Sequence, residues 1–178
     1  MAMQQVILLI INVVVGMAVI GSYIFGLATQ SAGADALWGG ISTSIRPVYL
    51  VSMILSALGY FAFLYFILFR IIPDQVQIAN RFGFSLFYII FLGILVPSVI
   101  WMPLTYAMVA NPSTGIWIGI RAVLILVGIS SLALVWALLS LQTKEPELPY
   151  WLAVAGSAYF AFHTAVLDMI LWPALFRG

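Results

Sequence analysis

Three residues that could do chemistry lie inside long apolar stretches of this sequence: Arg121, His163 and Asp168. An unpaired charge at the centre of a bilayer costs about 2.5 to 3.5 kcal/mol even on the most lenient scale, so each charge needs a partner or water. At 1.5 Å per helical residue, Arg121 and Asp168 both fall roughly 8 to 12 Å below the same surface. We therefore predict that they form an ion pair across adjacent helices, either as the floor of a cavity or only to fix the packing.

His163 is the only histidine and falls near the middle of the last apolar stretch. It could ligate the metal of a haem or chlorophyll, relay a proton, or hydrogen-bond a neighbouring hydroxyl. In an α-helix the five positions from His163 to Asp168 turn the chain by about 140°, so the two would not share a face or form a catalytic dyad. Without cysteine, metal-ligand spacing or a hydrolase or nucleotide motif, we expect neither a metal site nor an enzyme.

The composition identifies the surroundings in which these residues must work. Of the 178 residues, 65% are hydrophobic and only 6% are charged, whereas a soluble domain has about 25% charged residues. The formal net charge of +1 is too small to attract nucleic acid, so we expect no nucleic-acid partner. The sequence therefore predicts an all-α, multi-pass integral membrane protein whose partner is the lipid bilayer.

Five stretches reach the roughly 20 apolar residues that a helix needs to cross a bilayer. They cover residues 6–27, 48–69, 84–109, 116–141 and 151–176. Residues 28–47 form the only long loop, and the short later connections force neighbouring helices to run antiparallel. We predict a single membrane domain over residues 1–178, an up-and-down bundle of five helices with a long first loop. The basic residues of the loops favour a cytoplasmic N-terminus.

A stripe of small residues marks one face of the fifth predicted helix. The stripe consists of Ala153, Ser157, Ala161 and Ala165, which recur every four residues and would let another backbone approach closely. Asp168 follows this stripe by three residues and is expected to project into the bundle with it. If the stripe faced outward instead, the chain would be a small accessory or assembly subunit of a larger membrane complex, without ligand chemistry of its own.

The layout resembles the tryptophan-rich sensory protein and translocator protein family, TspO. The first loop carries Trp38 and then Arg46-Pro47, similar to the family's tryptophan followed by a basic residue and proline. The fifth helix carries Leu167-Asp168 with Trp172 after it, where the family has Leu-Asn and then tryptophan. The resemblance implies a homodimer that binds tetrapyrroles, sterols or other planar apolar ligands beneath the first loop as a lid, and it carries Trp38, Arg46, Leu167 and Asp168 over as site residues.

The leading functional prediction is therefore a binding site for a planar hydrophobic ligand between the long loop and the outer half of the bundle. Aromatic stacking and burial would supply affinity, and Arg46 or Arg121 would meet a ligand carboxylate. A small transporter or intramembrane enzyme is a further reading, which would need a water-accessible Asp168. The predicted ligand-binding residues are Trp38, Arg46, Trp101, Tyr106, Arg121, His163, Leu167 and Asp168.

Overall fold

The computed structural model describes residues 1–29 and 33–176, and this part of the chain is helical without strands. Its helices are α1 (Met3–Thr29), α2 (Asp35–Trp38), α3 (Arg46–Phe69), α4 (Ser85–Ala110), α5 (Thr114–Leu139), α6 (Glu147–Ala161) and α7 (Trp172–Leu175). A π-helical segment, Phe162–Leu171, joins α6 to α7 without a break, and a 3₁₀ turn, Pro73–Gln75, lies in the second connection. Five helices are long and apolar enough to cross a membrane, which confirms the five predicted stretches to within a few residues at each end.

The helices do not pack in the order in which they follow along the chain. α1 packs mainly against α4, α4 against α5, α5 against α6 and the π segment, and α6 against α3, whereas α1 and α3 make few contacts. A hydrogen bond from the Tyr60 hydroxyl to the Asn12 side chain links α3 to α1. The bundle is therefore a ring in which α1 is held chiefly by α4.

The backbones of α3 and α6 approach each other closely at one crossing. A Cβ placed on Gly59 would lie 2.5 Å from the carbonyl oxygen of Gly156, so only glycine fits at this crossing. Around it α6 buries the small-residue stripe of Ala153, Ser157 and Ala161. The stripe packs inside the bundle, and the outward face that the accessory-subunit reading required is therefore not made by these residues.

The buried apolar side chains form two clusters, one at each end of the bundle. The larger lies away from the long loop and contains Phe63, Phe66, Phe87, Phe91 and Tyr150. The smaller, here called the loop-side cluster, consists of Ile41, Tyr49, Ile120, Leu124, Leu167 and Trp172. The loop-side cluster thus joins the first loop to α3, α5 and the last helical segments.

Residues 33–45 of the first loop, here called the loop cover, lie across the loop-side end of the bundle. The Tyr106 hydroxyl donates to the Gly33 carbonyl at 3.1 Å, and the Trp172 indole N–H donates to the Leu37 carbonyl at 2.8 Å. Gly39 has a φ of +56°, and a Cβ there would lie 2.5 Å from the Phe176 ring. These contacts with α4 and with α7 and its following residue hold the cover over the loop-side end of the bundle.

Candidate functional site

The π-helical segment changes which side chains of the fifth long helix share a face. In a π-helix the hydrogen bonds join residues five apart, so such residues lie one above the other. The backbone N–H of Trp172 donates to the Leu167 carbonyl, five residues earlier, in this pattern. Pro173 supplies a physical reason for the wider turn, since a proline has no N–H and its ring clashes with the carbonyl four residues earlier in an α-helix.

His163 and Asp168 lie together as a result. The His163 Nε2 is 3.6 Å from the Asp168 Oδ2, so the prediction that these two side chains occupy different faces is wrong. That prediction assumed α-helical rotation, which the chain abandons between Phe162 and Leu171. The structure therefore contains an imidazole–carboxylate pair that α-helical spacing rules out.

The pair continues into a chain of hydrogen bonds. The Tyr159 hydroxyl donates to Ser52 Oγ at 3.3 Å, and Ser52 Oγ lies 2.9 Å from His163 Nδ1. Because Ser52 accepts from Tyr159, its own proton is free to go to Nδ1, which leaves the proton of a neutral ring on Nε2 facing Asp168. Every donor in this chain then points toward the Asp168 carboxylate.

Nδ1 of His163 is engaged by Ser52 at 2.9 Å, whereas Nε2 faces Asp168 at 3.6 Å, beyond hydrogen-bond distance. Axial ligation needs a free nitrogen. A tetrapyrrole held through its metal by His163 would have to bind at Nε2 in place of the contact with Asp168, whereas a planar ligand held by burial makes no such demand. In the described residues no group of three or more His, Cys, Asp or Glu side chains could hold a metal ion.

Three aromatic side chains from other helices lie at the same end of the bundle as the pair, and together the five residues Tyr23, Tyr49, Trp101, His163 and Asp168 are called the inner site. Tyr49 meets His163 edge to face at 6.5 Å between ring centres, and Tyr23 lies 5.9 Å from Trp101. Trp101 in turn lies 5.7 Å from Trp172, which directly follows the π segment. The inner site is therefore built from α1, α3, α4 and the π segment.

Two groups of the inner site keep unused hydrogen-bonding capacity. The indole N–H of Trp101 is buried and has no partner in the described part of the chain. The side chain of Asp168 remains 33% exposed. Buried polar groups are nearly always paired, so these two atoms are where a bound molecule would make its polar contacts.

Arg121 does not take part in the inner site. It is exposed on α5 and, among the residues described, has no carboxylate within 4.0 Å. The predicted Arg121–Asp168 ion pair is wrong, because Arg121 lies about 100° around the helix from the buried Ile120. Arg121 lies seven residues after the start of α5. Its long side chain can therefore reach the polar surface while its stem stays in lipid.

The other predicted residues lie around the loop-side end. Leu167 is a buried member of the loop-side cluster, and Trp38 packs against this cluster. Arg46, at the start of α3, contacts the loop cover. Its guanidinium lies 5.4 Å over the Trp38 ring and 2.6 Å from the Asp35 carboxylate. Tyr106 ties α4 to the cover. These residues brace the cover, and of the charged ones only Asp168 reaches the inner site.

A groove of about 280 Å³ lies between α1 and α4 beneath the cover. Gly26, Met102 and Tyr106 form its wall, and the groove lies one residue along each helix from the inner-site residues Tyr23 and Trp101. Its volume is just below the roughly 300 to 1,000 Å³ of small-molecule sites. Tyr23 and Trp101 do not line the groove, so it lies beside the inner site on α1 and α4.

Sequence reasoning missed Ser52, Tyr159, Tyr23 and Tyr49 as site residues. Ser52 had a usable signal, because Ser52, Ser56 and Gly59 recur at helical spacing and are all buried on one face of α3. The two tyrosines of the inner site had none, since aromatic residues are common throughout apolar helices.

Comparisons with protein-family models, with curated proteins and with solved structures find no match to this chain. The resemblance to the TspO family therefore stays a prediction from the residues of the first loop and the fifth helix.

Proposed function

We propose that this protein binds a planar, largely apolar small molecule, such as a tetrapyrrole, a sterol or a similar lipid, beneath the loop cover. The observation that carries the proposal is the inner site, where four helical elements bring polar atoms together inside an apolar bundle. Two of those atoms, on Trp101 and Asp168, have capacity left for a ligand. The TspO resemblance supports the same ligand class.

Affinity would come from burial of the ligand against aromatic faces. Tyr23, Tyr49 and Trp101 present their rings from three different helices, and aromatic pairs contribute about 0.5 to 1.5 kcal/mol each beyond the area that they bury. The groove between α1 and α4 supplies a route from the lipid phase, in which an apolar ligand would be dissolved. The cover closes the end of the bundle above it.

The placement of the chain in the membrane is part of the proposal. The five long helices would cross the bilayer with the N-terminus in the cytoplasm, because Arg70, Arg81 and Lys144 lie at the end away from the loop cover. The cover would then face the exterior.

A homodimer or an association with partner membrane subunits agrees with the family resemblance. The accessory-subunit reading has less support, since its small-residue stripe is buried within the bundle.

The test is a binding titration with 9-anthracenemethanol, a planar neutral fluorophore, against purified protein in uncharged detergent micelles. Fluorescence anisotropy of the probe reports binding independently of the protein's own tryptophans, and protein-free micelles give the background. Trp101→Phe removes the unpartnered N–H while keeping an aromatic ring. Loss of one hydrogen bond, about 0.5 to 1.5 kcal/mol, predicts a roughly two- to tenfold weaker affinity.

Trp136→Phe is the matched control for this titration. Trp136 is exposed on α5 and packs against Phe82, at the end of the bundle away from the cover. The control should bind the probe as the native protein does. Anisotropy no higher than that of protein-free micelles, or equal losses in both variants, would overturn the proposed site.

A further inference from the structure

When it is ionised, the Asp168 carboxylate is a negative charge without a Lys or Arg partner in the described residues. In this part of the chain Arg46 pairs with Asp35, the imidazole 3.6 Å from Asp168 is the neutral ring described above, and no Lys or Arg nitrogen lies within 4.0 Å of Asp168. A charge placed this far into an apolar helix is costly unless something neutralises or hydrogen-bonds it. The structure therefore leaves an acceptor that a ligand could satisfy.

The surrounding hydrogen bonds present donors, and not acceptors, to the Asp168 carboxylate. Tyr159, Ser52 and His163 form a chain of donors that leads toward Asp168, with His163 Nε2 at 3.6 Å from Asp168 Oδ2. An ionised carboxylate has about four acceptor positions on its two oxygens, and the imidazole at 3.6 Å is too far away to occupy one. The Tyr49 hydroxyl donates instead to the Leu167 carbonyl at 3.2 Å. The remaining acceptor capacity thus lies on the exposed third of the Asp168 side chain.

We infer that the polar end of the ligand is a protonated amine held by Asp168, so that the ligand is a planar lipophilic amine. This inference rests on the proposed function, because it specifies the charge of the molecule that the inner site would bind. An ammonium group would donate to the carboxylate and neutralise it. The aromatic faces of Tyr23 and Trp101 would favour the same charge, since an aromatic ring attracts a cation over its face.

The arrangement opposes a ligand carboxylate at this position. Arg121 is exposed on the outside of α5, and Arg46 is paired with Asp35 on the outer side of the cover. A carboxylate entering the inner site would meet the like charge of Asp168 without either arginine beside it. The sequence-based expectation of an arginine meeting a ligand carboxylate is therefore replaced by an acidic group meeting a ligand cation.

The experiment compares three anthracene probes of the same shape and different charge. They are 9-(aminomethyl)anthracene, 9-anthracenemethanol and 9-anthracenecarboxylate, each titrated into native protein in uncharged micelles at pH 7 and corrected for protein-free micelles. Hydrogen bonds to charged groups contribute about 1.5 to 3 kcal/mol, which predicts a roughly 10- to 100-fold preference for the amine over the alcohol. The carboxylate should bind more weakly than the alcohol.

Asp168→Asn tests whether this carboxylate causes the preference, and Asp74→Asn, at an exposed aspartate in the second connection, is the control. The preference for the amine should disappear in D168N and persist in D74N. Because the ranking of the three probes is measured on the native protein, it decides the inference even if D168N fails to fold.

Each outcome separates the inference from the proposed function. If the alcohol binds as tightly as the amine, or if D168N keeps the preference, the inference is overturned while the planar-ligand site stands. If none of the three probes binds, both are overturned. A preference that D168N alone removes supports both.

Discussion

Gly59 and Gly156 determine how closely α3 and α6 approach, and an alanine at either position should force the two helices apart. A Cβ on Gly59 would lie 2.5 Å from the Gly156 carbonyl oxygen and 3.0 Å from two more of its backbone atoms. The obstructing atoms belong to a helix backbone, so no side chain can rotate away. Overpacking of this kind costs about 1 to 3 kcal/mol.

The helix propensity of alanine acts in the opposite direction. Glycine within a helix costs about 0.5 to 1 kcal/mol relative to alanine, so Gly59→Ala recovers part of the overpacking cost. Gly16→Ala is the matched control, because Gly16 lies within α1 and a Cβ there would meet nothing within 4 Å. The difference between the two variants isolates the steric cost of about 1 to 3 kcal/mol.

The assay is thermal unfolding of purified protein in detergent, followed by tryptophan fluorescence. One kcal/mol corresponds to about 2 to 4 °C for a chain of this size, so G59A should melt roughly 2 to 12 °C below G16A. G156A should behave like G59A, since its Cβ would meet the Gly59 carbonyl oxygen at 2.7 Å. Equal melting temperatures for G59A and G16A would refute the backbone contact between α3 and α6.

The same substitution should disturb the site. Ser52 lies seven residues before Gly59, and His163 lies seven residues after Gly156, which places both about 10 Å along their helices from the crossing. Separating the helices there should lengthen the hydrogen bond between Ser52 Oγ and His163 Nδ1, now 2.9 Å. G59A should therefore weaken binding of the amine probe relative to G16A, as the anisotropy titration measures.

Three further substitutions test other parts of the structure. Arg121→Gln should change the melting temperature by less than about 2 °C, because the side chain is exposed and unpaired among the described residues; a larger loss would indicate a buried partner. Trp172→Phe removes the indole donor to Leu37 and should cost about 0.5 to 1.5 kcal/mol in stability, with faster proteolysis of the loop cover as the second readout. Tyr60→Phe leaves the Asn12 carbonyl oxygen without its donor and should lower the stability by about 1 to 3 kcal/mol, whereas unchanged melting would argue against the α1–α3 link.

The number and position of the long helices could be predicted from the sequence alone. Each requires only a run of apolar residues, and such a run is a property of neighbouring positions in the chain. The buried small-residue stripe on α6 was visible for the same reason, since Ala153, Ser157 and Ala161 follow helical spacing. The prediction that the aromatic residues of the first loop and fifth helix lie at one end of the bundle agrees with the loop-side cluster, against which Trp38, Trp101 and Trp117 pack.

The contacts of the charged residues could not be predicted in this way. Equal depth suggested that Arg121 and Asp168 pair, but depth along a helix says nothing about direction around it. Direction could have been read for Arg121 from the buried face of α5, on which Ile120 and Leu124 lie. The direction of Asp168 around its helix could not be read from the sequence, because the helix changes its pitch before that residue.

The sequence by itself determined that this protein has five apolar helices and where they begin and end, because hydrophobicity is additive over neighbouring residues. The tertiary structure alone decided that the helices pack in a different order from the chain, and that Ser52 on α3 meets His163 on the π segment. It also decided that His163 lies against Asp168. The contact of Ser52 with His163 joins side chains 111 residues apart, and the contact of His163 with Asp168 depends on the pitch of the backbone, so no local sequence pattern encodes either.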